Sequence, residues 1–221
     1  MTALNLETAR FNMIEQQVRP WDVLDYNVLE TMAQVPREAF VPDEQTLLAF
    51  SDTEIPIGHG EAMMSPKVEG RLLQALDIKP TDNVLEIGTG SGYLTACLAT
   101  LCSNVYSIER HADLQASAEQ RLKTQGFDNV TLWQGDAAHG WEQAPRYYDA
   151  IAITGAMSEY DACFEQQLKP GGRLFVIVGE APAMEAILVT RVDEENFAYS
   201  TLFETCLKPL FGHEKIPEFV L

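Results

Sequence analysis

The chain has 221 residues, enough for one α/β domain with a buried core, and its 33 acidic residues against 15 basic ones give a formal net charge of −18. A surface of that sign repels phosphate backbones and anionic lipid, which excludes DNA, RNA and membrane as expected partners. No run approaches the roughly 18 apolar residues of a bilayer span, and Met1 to Gln17 lack the basic-then-apolar layout of an export signal, so the cytoplasm is expected. Cys97, Cys102, Cys163 and Cys206 form no CxxC pair and no metal-ligand spacing with His59, His111, His139 or His213. Reduced thiols and no metal are expected.

In chain order, Phe11, Ile14 and Val18 recur at helical spacing, and Pro20 ends that helix. Asp25 caps a second helix with Val28, Leu29 and Met32 on its inner face. Val35 to Pro42 reads as a proline-bracketed extended segment, and the chain breaks again at Ile55-Pro56-Ile57-Gly58-His59-Gly60. Ser65-Pro66 is the pattern of an N-cap with proline at the first helical position, and Val68, Leu72, Leu73 and Leu76 supply that helix's buried stripe.

The texture changes at Lys79-Pro80-Thr81-Asp82, dividing a helical region (1–80) from an α/β domain (81–221) within one compact unit. The second part alternates: a strand at Asn83 to Ile87, a helix to about Thr100, a strand at Asn104 to Ile108, and a helix from about Asp113 to Gln125. Strands follow at Asn129 to Trp133 and Tyr148 to Thr154, then a helix near Tyr160 to Gln167. The turn Lys169-Pro170-Gly171-Gly172 leads to a strand at Arg173 to Val178, and a hairpin spans Ala186 to Val192 and Ala198 to Leu207. This order predicts a mostly parallel, Rossmann-like sheet with helices on both faces and an antiparallel C-terminal hairpin.

Gly88, Gly90 and Gly92 lie where a strand meets a helix, so their backbone N–H groups can approach a ligand. The spacing is GxGxG, not the GxGxxG of dinucleotide sites, and Glu86 before it would repel a pyrophosphate. An ammonium and a sulfonium would instead be welcome there, which points to S-adenosylmethionine and away from NAD. Glu109 closes the next strand, where a carboxylate accepts from ribose hydroxyls. Asp136 follows the third strand, positioned to accept from an adenine amino group. The expected donor site is Glu86, Gly88, Thr89, Gly90, Gly92, Glu109, Arg110, Asp136 and Ala137, within the fold class of the class I methyltransferases.

Over nearly its whole length the sequence resembles the protein-L-isoaspartate O-methyltransferase family. The resemblance rests on Val84-Leu85-Glu86-Ile87-Gly88-Thr89-Gly90-Ser91-Gly92-Tyr93, on Val35-Pro36-Arg37 with Phe40-Val41-Pro42, on Ile55 to Gly60, and on Leu168-Lys169-Pro170-Gly171-Gly172-Arg173-Leu174. It implies an enzyme that esterifies isoaspartyl carboxylates in damaged proteins; in the family the ester then closes to a succinimide, which reopens partly to normal aspartate. The family pattern continues after its glycines with Gln-Thr-Ile-Ser-x-Pro, whose serine is held to be essential. This chain has Glu61-Ala62-Met63-Met64-Ser65-Pro66, with Met64 at the serine position and Ser65 one place late. Met64 and Ser65 are therefore the candidate catalytic positions. The segment Thr154-Gly155-Ala156-Met157-Ser158 also departs from the family's proline-containing one.

An isoaspartyl carboxylate with a pKa of about 4 is already ionised at neutral pH, so positioning and desolvation suffice and no base is needed. Two other readings fit the residues: a methyltransferase of this fold with another, small-molecule acceptor, and a donor-binding protein without catalysis.

Overall fold

The computed structural model describes residues 3–143 and 147–214; the outermost residues of both sequence regions lie outside it. Ala3–Met13 form α1, which continues as a π-helical turn over Ile14–Val18 and a 3-10 turn over Arg19–Trp21. Ile14 and Val18 are buried beside Met13, but Phe11 is exposed, contrary to the shared face its spacing predicts. A π turn holds more residues than an α turn, so it carries Val18 round to the Met13 side and leaves Phe11 outside. Tyr26–Gln34 form α2, and Asp25 caps it by accepting from the Val28 N–H at 3.1 Å.

The segment read as extended, Val35 to Pro42, instead contains a 3-10 turn at Arg37–Ala39, and a second such turn follows at Asp43–Leu48. Pro36 and Pro42 each precede a turn rather than bracketing a strand; proline's fixed φ suits helix entry. Ile55–Gly58 (β1) and Glu61–Met63 (β2) pair as a small antiparallel hairpin. Pro66–Leu76 form α3 with Pro66 in its first turn.

The main sheet comprises β3 (Asn83–Ile87), β4 (Asn104–Glu109), β5 (Val130–Gln134), β6 (Tyr148–Met157), β7 (Leu168–Glu180), β8 (Ala183–Arg191) and β9 (Phe197–Thr205). Their spatial order is β5-β4-β3-β6-β7-β8-β9. Neighbours from β5 to β7 are parallel, and β8 and β9 add the antiparallel edge. The expected turn at Lys169–Gly172 lies inside β7 as an irregularity, between the pairs Tyr148↔Leu168 and Ala150↔Arg173.

Alternation at period two divides the strand side chains between two cores. Val84, Val105, Ala150, Ala152, Phe175 and Ile177 face a core that α1, α2, α3 and α4 (Tyr93–Leu101) complete, together with Leu122 of α5 (Ala112–Thr124). Leu85, Ile87, Ile108, Ile151, Ile153 and Val176 face the other, closed by Trp141 and Phe164. Among the described residues no α-helix covers that second face. The predicted helix at Tyr160 to Gln167 is a short 3-10 turn, Ala162–Gln167, capped by Asp161. The described part of the segment between β5 and β6 carries Gly135 and Gly140, which oppose a sustained helix.

The N-terminal region shares the first core and is also clipped to the sheet by polar contacts. The Arg173 guanidinium of β7 donates to the carbonyls of Leu76 and Asp77, 2.8 and 2.7 Å away, and pairs with Asp82 at 2.8 Å.

Candidate active site

The loop after β3 turns sharply: Gly88, Gly90 and Gly92 all have positive φ. A Cβ on Gly88 would lie 2.2 Å from Oγ1 of Thr154, and one on Gly92 would press on Ala118 of α5 at 3.2 Å. Any side chain at Gly88 would push the loop off β6. The loop is held from the next strand. Glu109 accepts from the Gly90 N–H at 2.8 Å through Oε2 and from the His111 N–H at 2.9 Å through Oε1.

Beside this loop lies a cleft of about 1190 Å³, including the space open to solvent at its mouth. Gly88, Thr89, Gly90, Glu109, Arg110, Asp136 and Ala137 line it. Seven residues expected from separate strand ends thus meet on one wall, along the carboxyl edge of the parallel strands. Asp136 is exposed, and its Oδ1 accepts only locally, from the Ala138 N–H at 3.1 Å. Arg110 is exposed and stacks on Phe211, its guanidinium carbon 3.1 Å from the ring centroid.

Glu86 and Gly92 are placed differently from the sequence expectation. Neither lines the cleft among the described residues. In a strand buried on both faces, Glu86 shares the side of Val84, towards α4 and away from the ligand edge. Its Oε2 accepts from Oγ1 of Thr95 and Oγ of Ser107, and Ser107 is bonded in turn to Oγ1 of Thr89, so Glu86 supports the loop from behind. Oε1 is buried and has no partner among the described residues. Burial, with the neighbouring charges of Glu109 and Glu69, pushes the carboxyl up to about 8 against the hydrogen bonds of Ser107 and Thr95. Gly92 is the residue at which α4 begins, where it permits close packing on α5.

The hairpin β1–β2 and the segment after it form the opposite wall. Met64 is buried and lines the cleft, together with Ala62 and Met63. Ser65 does not line it. It occupies the N-cap position of α3 as expected, but its hydroxyl makes no capping bond; its carbonyl accepts from the N–H groups of Val68 and Glu69 at 3.0 and 3.2 Å. Pro66 already lacks a donor, so less of the first turn remains to be satisfied.

Three groups of residues in or behind the cleft walls, reaching the cleft through Glu69, Leu207 to Phe211 and His111, were not expected as site residues. Arg37 is fully buried, ion-paired with Glu69, donating to the Met64 carbonyl at 2.8 Å and stacked 4.5 Å from the Tyr93 ring centroid. Burial raises the Glu69 carboxyl to about 7, against the pull of Arg37. The signal was present in α3: Glu69 falls on the same face as Leu72, Leu73 and Leu76, an acid in an apolar stripe. Leu207 to Phe211, beyond the last strand, also line the cleft, and Lys208 there forms an ion pair with Glu61 of β2. His111 adds a stacked pair with His59, ring centroids 4.2 Å apart. No periodicity marks these last two groups.

Two of the four cysteines are buried deeply enough to be chemically quiet. Burial drives the Cys97 thiol far up and the Cys102 thiol up to about 12.

A seven-stranded, mostly parallel sheet, with a glycine loop and carboxylates gathered along its carboxyl edge, defines a Rossmann-like protein of the class I methyltransferase type. The family model for protein-L-isoaspartate (D-aspartate) O-methyltransferase matches residues 9–215. A protein-L-isoaspartate O-methyltransferase of Brucella anthropi is 35% identical over 216 residues, covering 97% of this chain and 98% of the relative. Protein-L-isoaspartate O-methyltransferase 1 of Geotalea uraniireducens is 38% identical over 210 residues, covering 94% and 95%. The chain belongs to the protein-L-isoaspartate O-methyltransferase family. Its fold is also that of a Plasmodium falciparum structure, described as a protein-L-isoaspartate O-methyltransferase in complex with S-adenosyl-L-homocysteine. That chain matches with a TM-score of 0.76 at 22% identity, covering 93% of this chain and 97% of its own.

Proposed function

We propose that the protein transfers a methyl group from S-adenosylmethionine to the carboxylate of L-isoaspartyl residues in damaged proteins. The observation that carries this reading is the two-walled cleft, with Gly88 to Gly90, Glu109 and Asp136 on one side and Ala62 to Met64 on the other. The donor set suits the cofactor. Glu109 and Asp136 offer anionic acceptors to hydroxyl and amino groups, and the positive φ of Gly88 and Gly90 lets the loop backbone line the cleft with no side chain between it and a ligand. When bound, S-adenosylmethionine supplies an electrophilic methyl group. We assign Glu109 to the ribose hydroxyls and Asp136 with Ala137 to the adenine. Thr89 and Gly90 pack beside the donor, and Arg110 with Phe211 forms a stacked edge of the same wall. Glu86 acts through Thr89 and Ser107 as a positioning residue.

An isoaspartyl carboxylate is ionised at neutral pH, so the chain needs no base to prepare it. Holding it requires a donor or a cation. The Met64 thioether offers neither, and Ser65 lies outside the cleft. We assign this task to Lys208, which meets the acceptor wall through its pair with Glu61. On this reading residues 1–80 form the acceptor side, to which Lys208 is added from the second region, and 81–221 the donor-binding domain. The acidic composition and the four free thiols, two of them buried, support a cytoplasmic protein that binds neither nucleic acid nor membrane. No helix among the described residues is long and apolar enough to cross a membrane.

One observation favours a second reading, a methyltransferase with a different, small-molecule acceptor: Glu54, Glu61 and Glu69 all line the cleft and oppose an anionic guest. The test is transfer of labelled methyl to an isoaspartyl peptide, compared with the same peptide containing normal aspartate. Base-labile label on the isoaspartyl peptide alone supports the first reading. Donor binding with no transfer to either peptide supports the second, or a protein that binds donor without catalysis.

A further inference from the structure

Outside the cleft the fold gathers three metal-ligating side chains from three separate segments. His139 lies in the loop after β5, Asp161 caps the 3-10 turn after β6, and His213 lies in the chain beyond β9. One ligating atom from each falls within 4.8 Å of the others. His139 Nδ1 is 2.9 Å from Asp161 Oδ2, and the two imidazole rings are 4.9 Å apart. His213 is buried, and its Nε2 lies 2.7 Å from the carbonyl oxygen of Ala138. A carbonyl only accepts, so Nε2 carries a proton and Nδ1 is the nitrogen that would ligate. This is the outer contact that fixes a ligating histidine's tautomer at metal sites. Asp161 is oriented in the same way, its second oxygen accepting from the Cys163 N–H at 2.9 Å.

We propose that His139, Asp161 and His213 form a binding site for a divalent first-row transition-metal ion such as zinc(II). Two imidazoles and one carboxylate suit such an ion better than magnesium or calcium, which prefer all-oxygen sets. Zinc bonds of about 2.0–2.2 Å leave a fourth position for water. The sequence spacing hides the site, because the three ligands meet only through the chain's path around the sheet edge. The ion would tie two segments of the cleft wall together: Ala138 lines the cleft beside His139, and Leu207 to Phe211 line it just before His213. It serves as a clip on that wall.

The experiment is titration of the full, metal-free chain with zinc(II) against a chromophoric chelator, followed by cobalt(II) absorption spectra. One equivalent of zinc binds per chain, cobalt gives the visible bands of a low-coordinate nitrogen–oxygen site, and zinc raises the melting temperature. His139→Ala and Asp161→Asn, both at accessible positions, each weaken zinc binding at least tenfold, with folding verified by circular dichroism. His59→Ala, at the other histidine pair, leaves zinc affinity unchanged. His213→Gln is a further variant, and if it fails to fold the first two decide. Absence of saturable binding, or wild-type affinity in either His139→Ala or Asp161→Asn, overturns the proposal.

Discussion

The carboxylate of Glu109 at the end of β4 holds the backbone N–H of Gly90 in the loop after β3, 2.8 Å away. The residue we assign to the donor's ribose therefore also shapes the glycine loop that lines the cleft. Glu109→Ala is expected to weaken S-adenosylhomocysteine binding at least tenfold, since a hydrogen bond to a charged group contributes about 1.5–3 kcal/mol. It is also expected to lower the melting temperature, because Glu109 is buried and satisfies two backbone donors. Asp136→Ala, at an exposed position, weakens binding without that loss of stability. Calorimetric titration and thermal melts read the two effects separately; unchanged affinity in both variants would remove these carboxylates from the donor site.

Met64 and Ser65 are neighbours in sequence but only Met64 lines the cleft. Met64→Ser, with or without Ala62→Thr, is expected to raise kcat/KM on an isoaspartyl peptide about tenfold or more, because a hydroxyl can donate to the carboxylate and a thioether cannot. The same change empties a buried site and costs stability, on the scale of about 2–5 kcal/mol for large-to-small substitutions. Ser65→Ala should leave the rate close to wild type and cost at most about 1 kcal/mol of stability, because its hydroxyl makes no capping bond. Loss of activity in Ser65→Ala with no gain in Met64→Ser would reassign the acceptor wall by one residue.

Glu69 and Glu86 carry the pH dependence. Their folded pKa values rise to about 7 and about 8 from an ordinary 4.5. Between these limits the folded chain keeps protons that the unfolded chain has released, so stability falls as pH rises from 4.5 towards 8. Repulsion within a chain of net charge −18 acts in the same direction. Urea midpoints at pH 5.5 and 8.5 should show the protein less stable at the higher pH. Glu86→Gln, which mimics the protonated form, should flatten the slope. A midpoint that rises between those pH values, or an unchanged slope in Glu86→Gln, counts against these assignments.

Removing one partner of the Arg37–Glu69 pair leaves the other charge buried, a loss of about 3–5 kcal/mol. Glu69→Gln is expected to show that loss in chemical denaturation, because the Arg37 guanidinium stays charged, and Arg37→Met a smaller one, because the Glu69 carboxyl, already raised to about 7, can take a proton. Equal, near-zero effects would mean that water reaches the pair.

Lys208 and Glu61 form a partly exposed ion pair at the cleft. If Lys208 receives the acceptor carboxylate, Lys208→Met raises KM for the isoaspartyl peptide severalfold while donor affinity holds. Glu61→Gln lowers KM by removing the competing anion, and added salt narrows both differences through screening. Steady-state kinetics at two ionic strengths decide; a KM indifferent to both substitutions removes Lys208 from the acceptor site.

The order of strands and helices, the parallel sheet with its antiparallel edge, and the meeting of Gly88, Gly90, Glu109 and Asp136 on one cleft wall follow from the sequence by itself. They rest on local signals: apolar runs of strand length, glycines at a strand–helix junction, and acids one step beyond strand ends. The direction in which Glu86 faces required the packed layers, because β3 is buried on both faces and only the elements covering each face distinguish them. The exposure of Phe11 depended on a π turn that its own spacing does not encode. Lys208 stands 147 residues from Glu61, and the Arg37–Glu69 pair, the Lys208 contact and the His139–Asp161–His213 cluster all join residues distant along the chain. Such contacts are set by how the elements pack, so composition and periodicity do not reveal them, and the tertiary structure decided them.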